Sequence, residues 1–526
     1  MFKDYNINQL VLPMNLETKL QDNDIAFHIN ELVESIPQKA LLPFIREEGC
    51  PAYHPRMMLK IVLCGYSQHA FSGRRIEALL HDSLRMMWLA QGNFPSYRTI
   101  NRFIVNPRVQ ELLRQCYASF RFHLLRKNLI KGEAIFIDGT KIEANANKFT
   151  FVWRKSTEKH HRKLMEDSKA LYDKLHEEKV LPEIAKENEE ELTINELETI
   201  ASVLEDKIEE CNEQISLTGN VQERKALRKR RKLLKDSRKL TEGYVTRKKK
   251  YEQQLATFDG RNSYSKTDTD ATFMRMKEDH MKNGQLKAGY NVQVATEGQY
   301  VLACDVFPNP TDTKTLKPFL DNIESKYFKI PKYIVADAGY GSEENYTDIL
   351  EGRNREALIT YGMYRKEQTR KYKKDPFNTD NWEYDEATDS YTCPNGRQLT
   401  FNYVSRKTDK NGFSREFKVY ECDDCTICPF REQCNKSKDG RNRTLRINER
   451  LERQKEYVRT KLSEEEAGSI YRQRKIDVEP VFGFLKANLR FTRFTVRGKE
   501  KVRNEIAIAL MAVNMRKIAS QSLKIG

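Results

Sequence analysis

The apolar positions of this chain change period several times, and each change sets off a region of different structure. From Tyr53 the spacing is helical. Pro55 suits a first turn, and Met58, Ile61, Val62 and Gly65 follow on one face. Ile76, Leu79 and Leu80 predict a second short helix, while Val109, Leu112, Leu113, Cys116 and Phe120 stripe a longer one. Between them, Phe94 to Phe103 reads as a capped helix that buries Ile100 and Phe103. Met86, Met87 and Trp88 read as core, and residues up to about 50 as a helical lead-in.

At Glu133 the period becomes that of a strand. Ala134-Ile-Phe-Ile ends in Asp138 and Gly139, so a carboxylate arrives at the end of an apolar run, before a residue able to turn the backbone away. After Arg261 alternation returns at Ala288–Thr296 and Tyr300–Val306, predicting a hairpin around Glu297 and Gly298. Asp312 reads as the cap of a helix through Leu316, Phe319 and Ile323. Lys332-Tyr-Ile-Val-Ala-Asp337-Ala-Gly339 repeats the opening device, Ser342 caps a helix, and Ala357–Tyr361 gives one more strand. Such alternation predicts a mixed α/β sheet covered by helices.

Two stretches interrupt this core. Residues 152–258 are helical: Thr193 and Glu196 form a capping box, and Ile194, Leu197, Ala201, Leu204, Ile208, Cys211 and Ile215 keep a three-four spacing. Leu164, Leu171 and Leu175 precede that helix, and Leu227, Leu234, Tyr244, Tyr251 and Leu255 follow it, so three antiparallel coiled helices are expected. The second stretch, 370–447, has little periodicity and reads as a small, loop-rich module.

Charge adds to this picture. Among 526 residues, 92 Lys and Arg face 76 Asp and Glu, a formal +16 that suits a polyanionic partner such as nucleic acid. Inside the helical interruption the charge is segregated: residues 177–210 hold thirteen acids and three bases, residues 222–250 fourteen bases and three acids. The run Arg224–Lys232, with Arg228, Arg230 and Arg231, either lies against the acidic helix or tracks phosphates; a mixture of packed and outward cations is expected. On the helix Phe94–Phe103 the face carrying Arg98, Thr99, Asn101 and Arg102 either reads DNA, as in a helix-turn-helix, or is the solvated side of a helical bundle. No basic-then-apolar leader and no run of about 18 apolar residues is evident, so a soluble, intracellular protein with no membrane role is expected.

Half of the ten cysteines gather at Cys393, Cys422-x₂-Cys425-x₂-Cys428 and Cys434. In an intracellular chain such clustering suggests metal before disulfides, and a structural zinc on four thiolates is favoured over an iron–sulfur cluster. Which four of the five would bind is left open. Asp138 and Asp337, if side by side at one sheet edge, could bridge Mg²⁺; alternatively both merely cap helices. Near the C-terminus, Tyr471-Arg-Gln-Arg474 leads to Glu479, Pro480 and Lys486 in an amphipathic helix that buries Val481, Phe482 and Leu485. Glu479 and Lys486 share a face of it if it is unbroken, and Pro480 must start or kink it.

Phe136-Ile-Asp138-Gly-Thr, Val335-Ala-Asp337-Ala-Gly-Tyr-Gly-Ser and the Tyr471–Lys486 helix together resemble the three acidic motifs of DDE transposases of bacterial insertion sequences. The resemblance also takes in the helical N-terminal part. It implies a ribonuclease H-like core with Asp138, Asp337 and Glu479 as the catalytic triad holding two Mg²⁺ or Mn²⁺ ions. Tyr471, Arg474 and Lys486 match accessory positions that place DNA; four residues separate Arg474 from Glu479, where the commonest form of the motif has three. Tyr340 and Tyr471 are expected to position or pack rather than to attack.

The implied organisation is a helical, helix-turn-helix-like DNA-binding domain at 1–127, the core in three parts (128–151, 259–369 and 448–526), a coiled-coil insertion at 152–258 and a zinc module at 370–447. The implied partners are double-stranded DNA, as element ends and target, and a second copy of the chain, in a bacterial cytoplasm at the nucleoid. A catalytically silent DNA-binding regulator and a metal-dependent nuclease without strand transfer are the alternatives.

Overall fold

The computed structural model describes residues 17, 20–45, 52–181, 191–276, 284–409, 412–435, 437 and 440–525. The flanks of the expected lead-in, at 1–16 and 46–51, lie outside the described residues. Two compact units are present, one formed by 1–142 with 290–526 and the other by 143–289.

The first unit opens with helices α1 (Ile25–Glu34), α2 (Pro55–Ser67), α3 (Gly73–Asp82), α4 (Leu84–Ala90), α5 (Tyr97–Ile104) and α6 (Arg108–Arg126). Pro55 occupies the first position of α2, where its missing amide is harmless. The stripe expected on α6 is buried throughout. Strand β1 (Ala134–Glu143) then enters the core.

The second unit is described by itself. Helices α7 (Arg154–Glu177), α8 (Ile194–Leu217) and α9 (Val221–Phe258) pack around Leu164, Leu175, Leu197, Leu204, Ile208, Cys211, Leu234 and Tyr244. The capping box is formed: Thr193 accepts from the Glu196 amide, and Glu196 reaches back to the Thr193 amide. The segregated charges meet in part, Arg238 with Glu205 at 2.9 Å and Lys249 with Glu198 at 2.6 Å.

In the first unit the chain continues through β2 (Leu286–Glu297), β3 (Tyr300–Phe307), α10 (Leu316–Lys326), β4 (Tyr333–Ala336), α11 (Glu343–Thr347) and β5 (Glu356–Ile359). The strand order is β3-β2-β1-β4-β5. β2 and β3 form the expected antiparallel hairpin, and Gly298 and Gln299 both take positive φ at its turn. β4 is parallel to both β1 and β5. Ile135, Ile137, Ile334, Ala336, Ala357 and Ile359 bury one sheet face against Leu316, Phe319, Leu320 and Ile323 of α10. Near-continuous apolar strands are what a sheet covered on both faces requires.

The cysteine-rich stretch is not loop-rich. It forms an antiparallel sheet of five strands, β6 (Glu383–Asp385), β7 (Ser390–Thr392), β8 (Gln398–Thr408), β9 (Ser414–Cys422) and β10 (Thr444–Ile447), in sequence order. Its weak alternation comes from β8, which is exposed at most positions and so has no apolar face to display in sequence. Helices α12 (Glu449–Ser463), α13 (Glu465–Gly483) and α14 (Lys499–Ile525) complete the unit. Pro480 neither starts α13 nor ends it, being held inside its last turn, and the chain passes into a π-type turn at Phe484–Asn488. α14 is buried along Val502–Val513; it receives the Tyr117 hydroxyl on the Ala507 carbonyl, and its Asn514 pairs with the Val301 backbone of β3. The last helix thereby joins the first helices to the sheet. No helix among the described residues is long and apolar enough to cross a membrane.

Candidate active site

β1 does not end at Asp138. It runs on through Gly139 to Glu143, so Gly139 serves close approach rather than a turn. A Cβ there would stand 2.7 Å from Asp312 Oδ1 and closer still to Gln293 Nε2. Asp337 lies one residue beyond β4. The parallel register pairs Phe136 with Val335, and two steps further along each strand stand Asp138 and Asp337. The structure thus brings these two carboxylates to matching positions on neighbouring strands. Asp138 Oδ1 accepts the Gly139 amide at 2.7 Å, and Asp337 Oδ1 the Gly339 amide at 2.9 Å.

Behind them lies a buried polar network that the periodicity did not expose. Tyr340 is fully buried, and its hydroxyl donates to Gln293 Oε1 at 2.5 Å. Burial, and then the charges of Asp312, Asp138 and Asp337, hold its phenol well above its ordinary titration range. Tyr340 therefore stays protonated and packs, as expected of it. Asp312 does not cap α10; Thr315 is the cap residue, with no side-chain capping bond. The Asp312 carboxylate instead accepts from Asn291 at 2.7 Å and Gln293 at 3.0 Å. The available signal was the pair Asn291 and Gln293, two polar residues on one face of an otherwise apolar strand.

Glu479 sits on α13 with its side chain exposed. Two anchors bracket it. Asp477 accepts the Gln299 amide at 3.1 Å and the Thr296 hydroxyl, and Thr296 also bonds the Phe136 carbonyl at 3.3 Å. Lys486 donates to the Lys141 carbonyl at 3.0 Å. These bonds fix α13 to the end of β2 and the turn that follows it, and the turn beyond α13 to Lys141 of β1. Tyr471 shares a hydrogen bond of 3.0 Å with Thr360, just past β5, and Arg474 is half-buried on the same helix. Among the described residues no group of three or more His, Cys, Asp or Glu side chains is gathered closely enough to hold a metal ion.

That finding also covers the cysteines. Cys422 and Cys425 are buried in a small core with Trp382, Leu399, Tyr420 and Leu445, against which Cys393 and Cys434 pack. Burial first, and then Cys425, push the Cys422 thiol up to about 12. Cys434 lies close enough to Cys393, Cys425 and Cys428 to interact with them electrostatically, as Cys422 does with Cys425 and Cys393, so the five thiols share one neighbourhood.

On α5 the buried residues are Ile100, Phe103 and Ile104, while Arg98, Asn101 and Arg102 are exposed and Thr99 partly so. Arg74 and Arg98 both lie over the Tyr97 ring, at 4.8 and 5.8 Å. Asn101 packs against Gly73 of α3, where a Cβ would clash with its side-chain oxygen. On α9, Arg228 and Arg230 are exposed, and Arg231 donates to Asn212 at 2.8 Å.

Two stretches match family models: residues 14–106 a transposase domain (DUF772), and residues 392–519 the transposase DDE domain. This chain is similar to DDE-type insertion-sequence transposases. Proteins of that kind act on DNA and generally use Mg²⁺ or Mn²⁺. The second match spans Glu479 and all five clustered cysteines, while Asp138 and Asp337 fall outside both. No curated protein and no solved structure matches the chain.

Proposed function

We propose that this chain is the transposase of an insertion sequence, which binds element ends and cuts and joins DNA with Asp138, Asp337 and Glu479 on a ribonuclease H-like sheet. The observation that carries this is the parallel register of β1 and β4, two steps beyond whose Phe136–Val335 pair stand Asp138 and Asp337. The mixed sheet and the bond from Lys486 to the Lys141 carbonyl of β1 support it. The donor set fits the hard cations Mg²⁺ and Mn²⁺, which take carboxylate oxygens and substrate phosphates. Bound divalent ions, two in this reading, would supply Lewis-acid stabilisation of charge on the phosphate and leaving oxygens.

The protein's own task is to hold carboxylates and DNA phosphate in register. In the first reaction a water oxygen bonds to phosphorus while the phosphorus–O3′ bond breaks; the departing O3′ takes up a proton, and a 5′-phosphate remains. In the second, the freed 3′-hydroxyl oxygen bonds to a target phosphorus, loses its proton, and the target's own O3′ leaves as a hydroxyl. Tyr471, Arg474 and Lys486 are assigned to placing the DNA. Arg98, Thr99, Asn101 and Arg102 of α5, with Arg228, Arg230 and Arg231 of α9, are assigned to binding it, as two chains bring two ends together. We assign a structural zinc to four of Cys393, Cys422, Cys425, Cys428 and Cys434, because the sheet they pack on has little other core.

Strand transfer with the parent element's end sequences in Mg²⁺ or Mn²⁺ tests the proposal. Joined products are expected. Nicking without joining selects a nuclease, and binding without metal-dependent cutting selects a DNA-binding regulator.

A further inference from the structure

Helix α13 meets the rest of its unit through little apolar surface. Between Gly468 and Asp477 none of its residues is buried, and beyond Asp477 only Val478 and Val481 are. Apolar contact has no direction, so two valines do little to fix how a helix is rolled about its axis. Asp477 supplies direction. Its buried carboxylate accepts the Gln299 amide at 3.1 Å, the Gly298 amide and the Thr296 hydroxyl, and Gln299 returns a bond from its side-chain amide to the Ile476 carbonyl at 3.0 Å. The hairpin turn that offers these donors is itself fixed from three other sides. The Thr296 hydroxyl lies 3.3 Å from the Phe136 carbonyl, two residues before Asp138. Glu297 accepts the Lys131 and Gly132 amides at 2.7 and 2.8 Å, just ahead of β1. Lys517 of α14 donates to the Gly298 carbonyl and, at 3.1 Å, to Gln299 Oε1. An apolar side chain would bury at this joint at less cost than a carboxylate, which burial holds above its ordinary range. What the carboxylate adds is a set of charge-assisted, directional bonds.

We propose that Asp477 is a positioning residue for the DNA-cutting reaction: bonded to the β2–β3 turn, it sets the rotation of α13 and with it the direction in which Glu479 points. This rests on the reading of Glu479 as the third acid of that reaction. Two residues of α-helix are about 200° of rotation. Asp477 turned into the unit therefore turns Glu479 out of it, and Glu479 is indeed exposed. A helix released at Asp477 keeps its two valine contacts but no longer has its roll fixed by the turn that also holds β1.

The test is single-turnover cleavage, by the full chain in Mn²⁺, of DNA carrying the parent element's ends. Varying the DNA concentration separates the rate at saturation from the DNA concentration that half-saturates it. Wild type is compared with Asp477→Ala, Asp477→Asn, Asp477→Glu and Glu479→Gln, with thermal melts in parallel. Asp477→Ala is expected to lower the saturated rate about 10- to 100-fold, the scale of a small misplacement of a reacting group, while half-saturation stays within a few-fold. Asp477→Asn, whose side-chain oxygen still accepts an amide, should recover part of that rate. A wild-type rate in Asp477→Ala, with Glu479→Gln inactive, overturns the role of Asp477 and leaves the transposase reading intact. A wild-type rate in Glu479→Gln overturns the assignment of Glu479 itself. A loss that follows the melting temperature, with no recovery in Asp477→Asn, makes Asp477 a support of the fold and overturns the proposal. Should Asp477→Ala fail to fold, Asp477→Glu decides: its carboxylate stands one methylene further out, so a folded variant cutting at the wild-type rate overturns the proposal, and a slowed one upholds it.

Discussion

The central sheet and the cysteine-rich sheet belong to one unit, and only a short stretch of chain separates β5 from β6, yet they are built on opposite terms. In the central sheet every residue of β3 and β4 is buried, and α10 closes one face with four large apolar side chains. In the cysteine-rich sheet β8 is exposed at most of its positions, and the core consists of six buried residues, two of them Cys422 and Cys425. Apolar burial suffices to hold the first, and its problem is the acids at its edge. The second has a small apolar core, and the proposed zinc would supplement it as a cross-link through sulfur. On the proposed reading, one region uses a metal for chemistry and the other for folding.

The largest effect should come from the acids. Asp138→Asn is expected to lower DNA cleavage at least about a hundred-fold, the scale lost with a group that stabilises transition-state charge, while DNA binding stays within a few-fold. Cleavage at the wild-type rate would remove the distinction between a chemical and a structural metal. Next comes zinc. Elemental analysis should find zinc bound to the purified chain, and its chelation should expose the stretch between Cys393 and Asn448 to protease while β1 to β5 remain protected. Structural zinc contributes on the order of 10 kcal/mol in small fingers. A cysteine-rich sheet that resists protease without zinc would show that its own core is enough.

A smaller effect separates the two cores. Ile334→Ala, at a fully buried position of β4, should cost about 2–5 kcal/mol in denaturant unfolding. Val404→Ala on β8, where the side chain is 48% exposed, should stay within about 0.5 kcal/mol. Equal losses would mean that the two sheets are packed alike.

The smallest concerns a buried acid with no part in the proposed chemistry. Glu505 of α14 accepts from the Thr495 amide and hydroxyl and the Val496 amide, and burial raises it from an ordinary value near 4.5 to about 7. The folded chain therefore holds this proton where the unfolded chain has lost it. Stability from this group is present below about 4.5 and is lost as pH rises toward 7. Glu505→Gln should flatten that slope in thermal melts taken between those values; an unchanged slope would show that Glu505 is ionised in the fold.

Much of this was legible in the residues themselves. The N-terminal helices, the Thr193–Glu196 capping box, the hairpin at Gly298 and the strands that deliver Asp138 and Asp337 all follow from spacing, because each depends on neighbours within a turn or a pleat. The sheet of the cysteine-rich stretch was hidden because an exposed strand such as β8 has no apolar alternation. Pro480, expected to start or kink a helix, does not start one: it stands inside the last turn of α13, between the buried Val478 and Val481.

By itself, then, the sequence determined the periods, the charged arms, the cysteine spacing and the identity of the acids. Tertiary structure alone decided which acids are aligned. Asp312 has the local features of a helix cap, yet its carboxylate is taken up by Asn291 and Gln293 of β2, beside Gly139 of the neighbouring strand β1. Likewise only the parallel register of β1 and β4 aligns two aspartates that lie far apart along the chain. Strand pairing is a choice among distant partners, made by burial of the whole sheet, and a window moving along the chain carries no information about it.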